Sequence, residues 1–328
     1  VPVAPLVKIS GVETRNHHDV IMLTDVYLEQ LTPLQWLTMH FQRHVEFVPA
    51  DELLSPGVPS SQLDDQGFLE MSDSKQQAEV AAFRSLGWKV PVKGNGAVVT
   101  QVNVPSPGAT IGLNVGDRIT DANGLPVTSA CALSRVVSKL APGSAVSLRV
   151  DRASYSSTGK LSYTSTQTLH ATTTKVPSGN GSDGCTGEPA VAKSWLGLSI
   201  EDGYQYTLPA TVSINTADIG GPSAGLAMTL TMIDLLSKKP LAGGAPVAAT
   251  GTMDQFGNVG DVGGVAEKTV AVQRAGAKYF IVPQVEVSTA QSAAAPGLKI
   301  IGVTSLAQAL DDLRSIGGQA ASPITTPH

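Results

Sequence analysis

The stretch GGPSAGLAMT, Gly220 to Thr229, places one serine among small residues at the entry to an apolar run. Gly221-Pro222-Ser223-Ala224-Gly225 fits the G-x-S-x-G pattern, in which a nucleophilic serine sits on a tight turn before a helix. The residues from Pro222 to Lys239, PSAGLAMTLTMIDLLSKK, are apolar nearly all round a helical wheel, which predicts a buried helix. Such a serine ordinarily hands its proton to a histidine. The order Ser, Asp or Glu, His leaves only His328, the last residue of the chain. His17, His18, His40, His44 and His170 lie upstream, but no G-D-S-G surrounds Ser223, and a long buried helix straight after the serine does not suit an all-β barrel.

A lysine can take the histidine's place if it is neutral at working pH. Desolvation favours that state, because the ammonium loses hydration when buried. The lysines after Ser223 are Lys238, Lys239, Lys268, Lys278 and Lys299. Lys238 and Lys239 end a helix before Pro240, where cations are ordinary. Lys278 and Lys299 flank strands and read as surface residues. Lys268, in GGVAEKTVAVQRAGA, shares a helical stripe with Val265 and Val272, while Glu267 and Arg274 fall on a face suited to water. Taken singly, Ser223 is also a tight helix start and Lys268 a snorkelling surface lysine; the pair in order is harder to explain that way.

These residues together resemble the Lon protease family. GGPSAG, Gly220 to Gly225, resembles its nucleophile motif, and GDVGGVAEK, Gly260 to Lys268, its lysine motif. The intervening AATGTMDQFGNVG is similar to the family's M-T-G-E-I-T-x-x-G-x-V. The resemblance implies a Ser223–Lys268 dyad, with Gly221, Pro222 and Ala224 shaping the nucleophile turn and Thr250 orienting the lysine. Thr250 also reads as an ordinary strand threonine. One departure is Gly220, where relatives often carry an acidic residue; Asp218 is near but not equivalent. No G-x-x-x-x-G-K-[ST] occurs, so ATP-driven unfolding is not available within this chain.

The segment SLGWKVPVKGNGAVVTQVNVPSPGATIGLNVGDRITDANGLPV resembles a PDZ domain. The resemblance places a carboxylate-binding loop at Leu86-Gly87-Trp88 and a groove wall on the helix from Ser129 to Leu140. A peptide C-terminus would add as a strand to an exposed edge, its carboxylate held by loop N–H groups. The alternative for Leu86-Gly87 is simply the end of the preceding helix, with Gly87 as the left-handed cap. The combination resembles the PDZ-containing, ATPase-free Lon-like proteases of Gram-positive bacteria, which implies an extracytoplasmic enzyme held by one N-terminal transmembrane helix outside this chain, and either a ring-forming homo-oligomer or a tethered monomer.

The fold expected is therefore α/β (α+β): a Lon-type proteolytic domain with a mainly-β PDZ domain inserted. Residues 1–84 would form its first elements, 85–175 the PDZ domain, 176–190 a linker loop, 191–316 the rest of the proteolytic domain and 317–328 a disordered tail. A chain of 328 residues supports two domains and a sizeable core. Its net charge of -5 and lack of basic runs argue against nucleic acid as a partner and against direct binding to an anionic membrane. Peptides and protein segments are the expected substrates, with no cofactor. His40 and His44 sit four apart on a helix, yet without a third ligand they predict no metal site. Cys131 and Cys185 are either two unrelated thiols or one disulfide formed in an oxidising compartment. The rival to an endopeptidase is a catalytically silent PDZ adaptor.

Overall fold

The computed structural model describes residues 1–25, 31–39, 47–49, 58–156, 160–177, 185, 193–216 and 219–325. The chain divides into two compact units. The first comprises Val1–Phe47, Glu70–Val90 and Leu208–His328; the second comprises Val48–Leu69 and Pro91–Thr207. In sequence, the second is inserted between stretches of the first.

The first unit is built on a four-stranded parallel sheet in the order Lys299–Val303, Tyr279–Pro283, Val247–Ala249, Ile21–Met22. The two longer strands and Val247–Ala249 are short, nearly continuous apolar runs, as parallel strands covered on both faces must be. Met22, Ala248, Phe280 and Val282 pack with Val265 and Val272 of the helix Val265–Arg274 and with Ala290 of the helix Val287–Ala293. The helix Gly225–Leu236 is buried at every position except Leu235, as its all-round apolar sequence predicts. Its Thr229 and Thr231 hydroxyls survive burial by donating to the carbonyls of Gly225 and Ala227. A further pair of strands, Val7–Ser10 and Thr211–Ile214, ties the start of the chain antiparallel to the segment leading to Ser223.

The second unit is an antiparallel sheet in the order Leu198–Tyr206, Val92–Val102, Arg118–Ala122, Ala145–Tyr155, Leu161–Thr172, with Leu125–Pro126 pairing to Arg118–Ala122. Ala145–Tyr155 and Leu161–Thr172 form a long antiparallel hairpin. The helix Ala130–Ser138 is capped by Ser129, whose Oγ accepts from the Ala132 N–H. Its Leu133 and Val137 enter a core with Ala97, Val99, Ile119, Leu148 and Leu196. Cys131 and Cys185 are bonded, with Cα atoms 5.3 Å apart.

Several boundaries differ from those read in the sequence. The second unit runs on to Thr207 because Leu198–Tyr206 pairs with Val92–Val102 along its whole length, Leu198 facing Val102 and Tyr206 facing Val92. That strand had been expected within the proteolytic part. The long helix Leu63–Ser85 carries Asp64 and Asp65 in its first turn. The helix Val287–Ala293 was not anticipated from VSTAQSA. The segment after Gly317, expected to be disordered, is held by backbone bonds: Gln319 to Pro240, Lys238 to Ser322 and Ile324 to Leu236. His40, His44, Asp218, His328 and most of the loop around Cys185 lie outside the described residues.

Candidate active site

Ser223 lies on the turn that enters the buried helix Gly225–Leu236. Gly221 permits the turn with φ 80°. Gly225 permits its close packing: a Cβ there would stand 2.9 Å from the Met253 nitrogen and 3.1 Å from Ser74 Oγ. The peptide groups on either side of Ser223 are pinned by their carbonyls. That of Pro222 accepts from Ser74 Oγ at 3.0 Å and from the Gly225 N–H at 3.3 Å. That of Ser223 accepts from the Gly251 N–H at 2.9 Å and from Thr250 Oγ1 at 3.2 Å. The Leu226 N–H donates to Gly251. Among the described residues, the N–H groups of Ser223 and Ala224 donate to no backbone carbonyl.

Lys268 is carried by the helix Val265–Arg274 and is 2% exposed, on one buried stripe with Val265, Thr269 and Val272. Burial pushes its pKa down to about 8, opposed by the negative charges of Asp25 and Glu286. Glu267, expected on the water-facing side, is half-buried, and its Oε2 has no hydrogen-bond partner. Thr250 is fully buried, and its hydroxyl proton goes to the Ser223 carbonyl, so toward an amine it can only accept. A second lysine with a lowered pKa escaped the sequence reading. Lys75, 7% exposed on the long helix Leu63–Ser85, is likewise pushed down to about 8 by burial, opposed by Glu79. Only lysines after the serine had been weighed, and Lys75 lies upstream in a polar run that suggests a surface.

The loop assigned to peptide carboxylates is corrected by the structure. The Leu86, Gly87 and Trp88 N–H groups donate to Ala82, Arg84 and Phe83 respectively, closing the end of the long helix. Gly87, at φ 92°, is its left-handed cap, and the Trp88 ring packs edge-on against Phe83 with centroids 5.5 Å apart. All three residues belong to the first unit, with Leu86 and Trp88 buried. No backbone N–H of the three is left there for a carboxylate. The same Φ-G-Φ pattern recurs at Leu196-Gly197-Leu198, entering the strand Leu198–Tyr206. There the carbonyls of Leu196 and Gly197 accept from Gly108 and Asn103, while the N–H groups of Leu196 and Gly197 donate to no backbone carbonyl among the described residues. Leu198–Tyr206 is the end strand of its sheet. Beside it, Ala130–Ser138 is joined to the strand through Asp202, which accepts from the Ala130 N–H at 2.8 Å.

Two family models match parts of the chain. Residues 215–313 match the family model of the Lon protease (S16) C-terminal proteolytic domain, and residues 84–162 match that of the PDZ domain. A Lon protease of Koribacter versatilis (strain Ellin345) is 39% identical over 89 residues, 27% of this chain and 11% of that protein. One from Rickettsia bellii (strain RML369-C) is 32% identical over 119 residues, 35% of this chain and 15% of that protein. The chain thus spans only a small part of these relatives. The PDZ domain of an SdrC-like protein of Listeria monocytogenes, in its crystal structure, has a TM-score of 0.24 and 16% identity, over 32% of this chain and 87% of that one. The chain is therefore similar to the S16 proteolytic domain of Lon proteases over residues 215–313 and to PDZ domains over residues 84–162, and its mixed α/β fold combines the two.

Proposed function

We propose that the chain is a serine endopeptidase in which Lys268 is the general base for Ser223. The observation that carries this reading is a lysine 2% exposed with its pKa pushed down to about 8, in the unit that presents Ser223 on a tight turn. Neutral Lys268 takes the hydroxyl proton as Oγ attacks a peptide carbonyl. The Ser223 and Ala224 N–H groups are the donors left for the oxyanion; one such donor is typically worth ~3 kcal/mol. Protonated Lys268 then gives its proton to the leaving amine, and water hydrolyses the acyl-enzyme. Thr250 Oγ1 accepts from the amine and orients it. Hydrolysis by this route consumes no ATP. The bonded cysteines favour an oxidising, extracytoplasmic setting. No helix among the described residues is long and apolar enough to cross a membrane.

Casein or fluorogenic-peptide hydrolysis by the parent, Ser223→Ala and Lys268→Met tests the dyad. Each variant is expected to lose about 10³-fold or more in kcat, as dyad members act as a unit. Equal turnover by all three removes the assignment, and no turnover by the parent under any condition favours the silent adaptor.

The second unit is read as the substrate-selecting part. A peptide C-terminus would add to the outer edge of Leu198–Tyr206, its carboxylate at the Leu196-Gly197 N–H groups and its last side chain toward the apolar Leu133, Val137 and Leu198. Fluorescence anisotropy with a free-acid peptide ending in Leu, against its C-terminal amide, reads this directly. Free-acid preference of about tenfold is expected. Equal affinity, or amide-exchange protection appearing anywhere but in residues 196–206, removes the groove from this edge.

A further inference from the structure

From the geometry we infer that Ser74 is a positioning residue for the reaction, aiming the Ser223 N–H at the oxyanion; this rests on the dyad reading above. Ser74 lies outside the matched segment of residues 215–313, in the middle of the long helix Leu63–Ser85, and is 3% exposed. A serine there is poorly chosen for helix stability and for a core, since its hydroxyl must be satisfied. Mid-helix serines usually point to solvent or bond back to their own helix. This one donates its single proton to the Pro222 carbonyl, 148 residues on, at 3.0 Å.

That carbonyl belongs to the same peptide unit as the Ser223 N–H. In a planar trans peptide the C=O and N–H point in opposite directions. Holding the carbonyl therefore fixes the direction of the nitrogen's proton, and this N–H has no backbone acceptor of its own. Thr250 Oγ1 and the Gly251 N–H do the same for the next peptide unit, whose N–H is that of Ala224. The second bond on the Pro222 carbonyl, from Gly225, is longer at 3.3 Å, which leaves Ser74 as its better donor. Donors aimed beforehand are effective because no reorganisation is needed when charge develops. Gly225 leaves room for the same contact, since a Cβ there would stand 3.1 Å from Ser74 Oγ as well as 2.9 Å from the Met253 nitrogen.

Ser74→Thr and Ser74→Val test the role, because they are alike in shape and differ in the hydroxyl. Ser74→Thr is expected to keep kcat within about threefold of the parent. Ser74→Val is expected to lose about tenfold in kcat with KM unchanged, and to bind a peptide boronate, which presents the tetrahedral geometry, about tenfold more weakly. That is less than the 10²–10³ typical of deleting a donor outright, because the Gly225 bond remains. The ascending limb of the pH profile should be the same in both, since the base is untouched. Equal kcat and equal boronate affinity in the two variants overturn the inference. So does a loss in Ser74→Val that appears in KM alone. Failure of the dyad reading shows separately, as parental turnover by Ser223→Ala.

Discussion

In the Ser223 turn and in the Leu196–Leu198 loop, consecutive carbonyls are held by donors while neighbouring N–H groups reach no backbone carbonyl among the described residues. Pro222 and Ser223 supply the held carbonyls in one, Leu196 and Gly197 in the other. Both follow a glycine of positive φ or contain one, Gly221 at 80° and Gly197 at 78°. On the function proposed above, each would receive an oxygen anion. What differs is the neighbourhood. The first unit buries two lysines, Lys75 and Lys268, and has a serine at the turn. The loop of the second unit enters an end strand flanked by apolar Leu133 and Val137, with an exposed carboxylate, Asp202, on the strand itself. Unengaged N–H groups confer affinity for an anion; only an adjacent base and nucleophile turn that affinity into chemistry.

The comparison is broken most severely by what it leaves out, the Φ-G-Φ at Leu86-Gly87-Trp88. Its N–H groups are all engaged, so it should act in stability alone. Trp88→Ala removes a buried ring packed on Phe83 and should cost about 3–5 kcal/mol. Urea unfolding of parent and variant measures the loss. Peptide affinity per folded molecule should stay within twofold; a larger fall would return the carboxylate loop to Leu86–Trp88.

Lys268 should show the opposite trade, stability gained where activity is lost. Its folded pKa of about 8 lies below the 10.5 ordinary for a lysine. The folded state is therefore favoured by deprotonation, and that advantage is lost as pH falls through 8. Lys268→Met removes the cost of the buried ammonium. At pH 6 the variant should be more stable than the parent by on the order of 3 kcal/mol, and the gap should narrow above pH 8 and close near 10.5. Denaturant midpoints at pH 6 and 9.5 measure both ends. A parent more stable than Lys268→Met at pH 6 would mean that Asp25 and Glu286 outweigh desolvation.

What could be read from the sequence was local in period and what could not was long in range. The helix after Ser223 and the buried stripe of Lys268 follow from residues three and four apart, and both stand as read. The strand Leu198–Tyr206 was misplaced because its partner, Val92–Val102, lies about a hundred residues upstream, and composition says nothing about which sheet a strand joins. At Leu86–Trp88 the sequence left two readings open because the Φ-G-Φ pattern suits a helix end and an anion loop equally; only the destinations of the N–H groups separate them. Leu196-Gly197-Leu198 carried the same pattern and could have been found by searching for a further copy of it. Ser74 gave no signal beyond a hydroxyl on what became a buried helix face.

The smallest expected effect concerns the two lysines themselves. Lys75 and Lys268 are both buried and both pushed down to about 8, so a titration alone cannot say which one the nucleophile uses. Activity that needs a neutral base rises with pH, and kcat/KM should climb through an inflection near 8. Lys75 is adjacent in sequence to Ser74, on a helix whose neighbouring side chains diverge by about 100°. Its side chain therefore leaves the helix in another direction from the hydroxyl that holds Pro222. Lys75→Met should keep the inflection and change kcat/KM by less than about threefold, whereas Lys268→Met should leave no turnover to titrate. An inflection that disappears in Lys75→Met while Lys268→Met still turns over would exchange the two roles, and the lysine upstream of the serine would become its base.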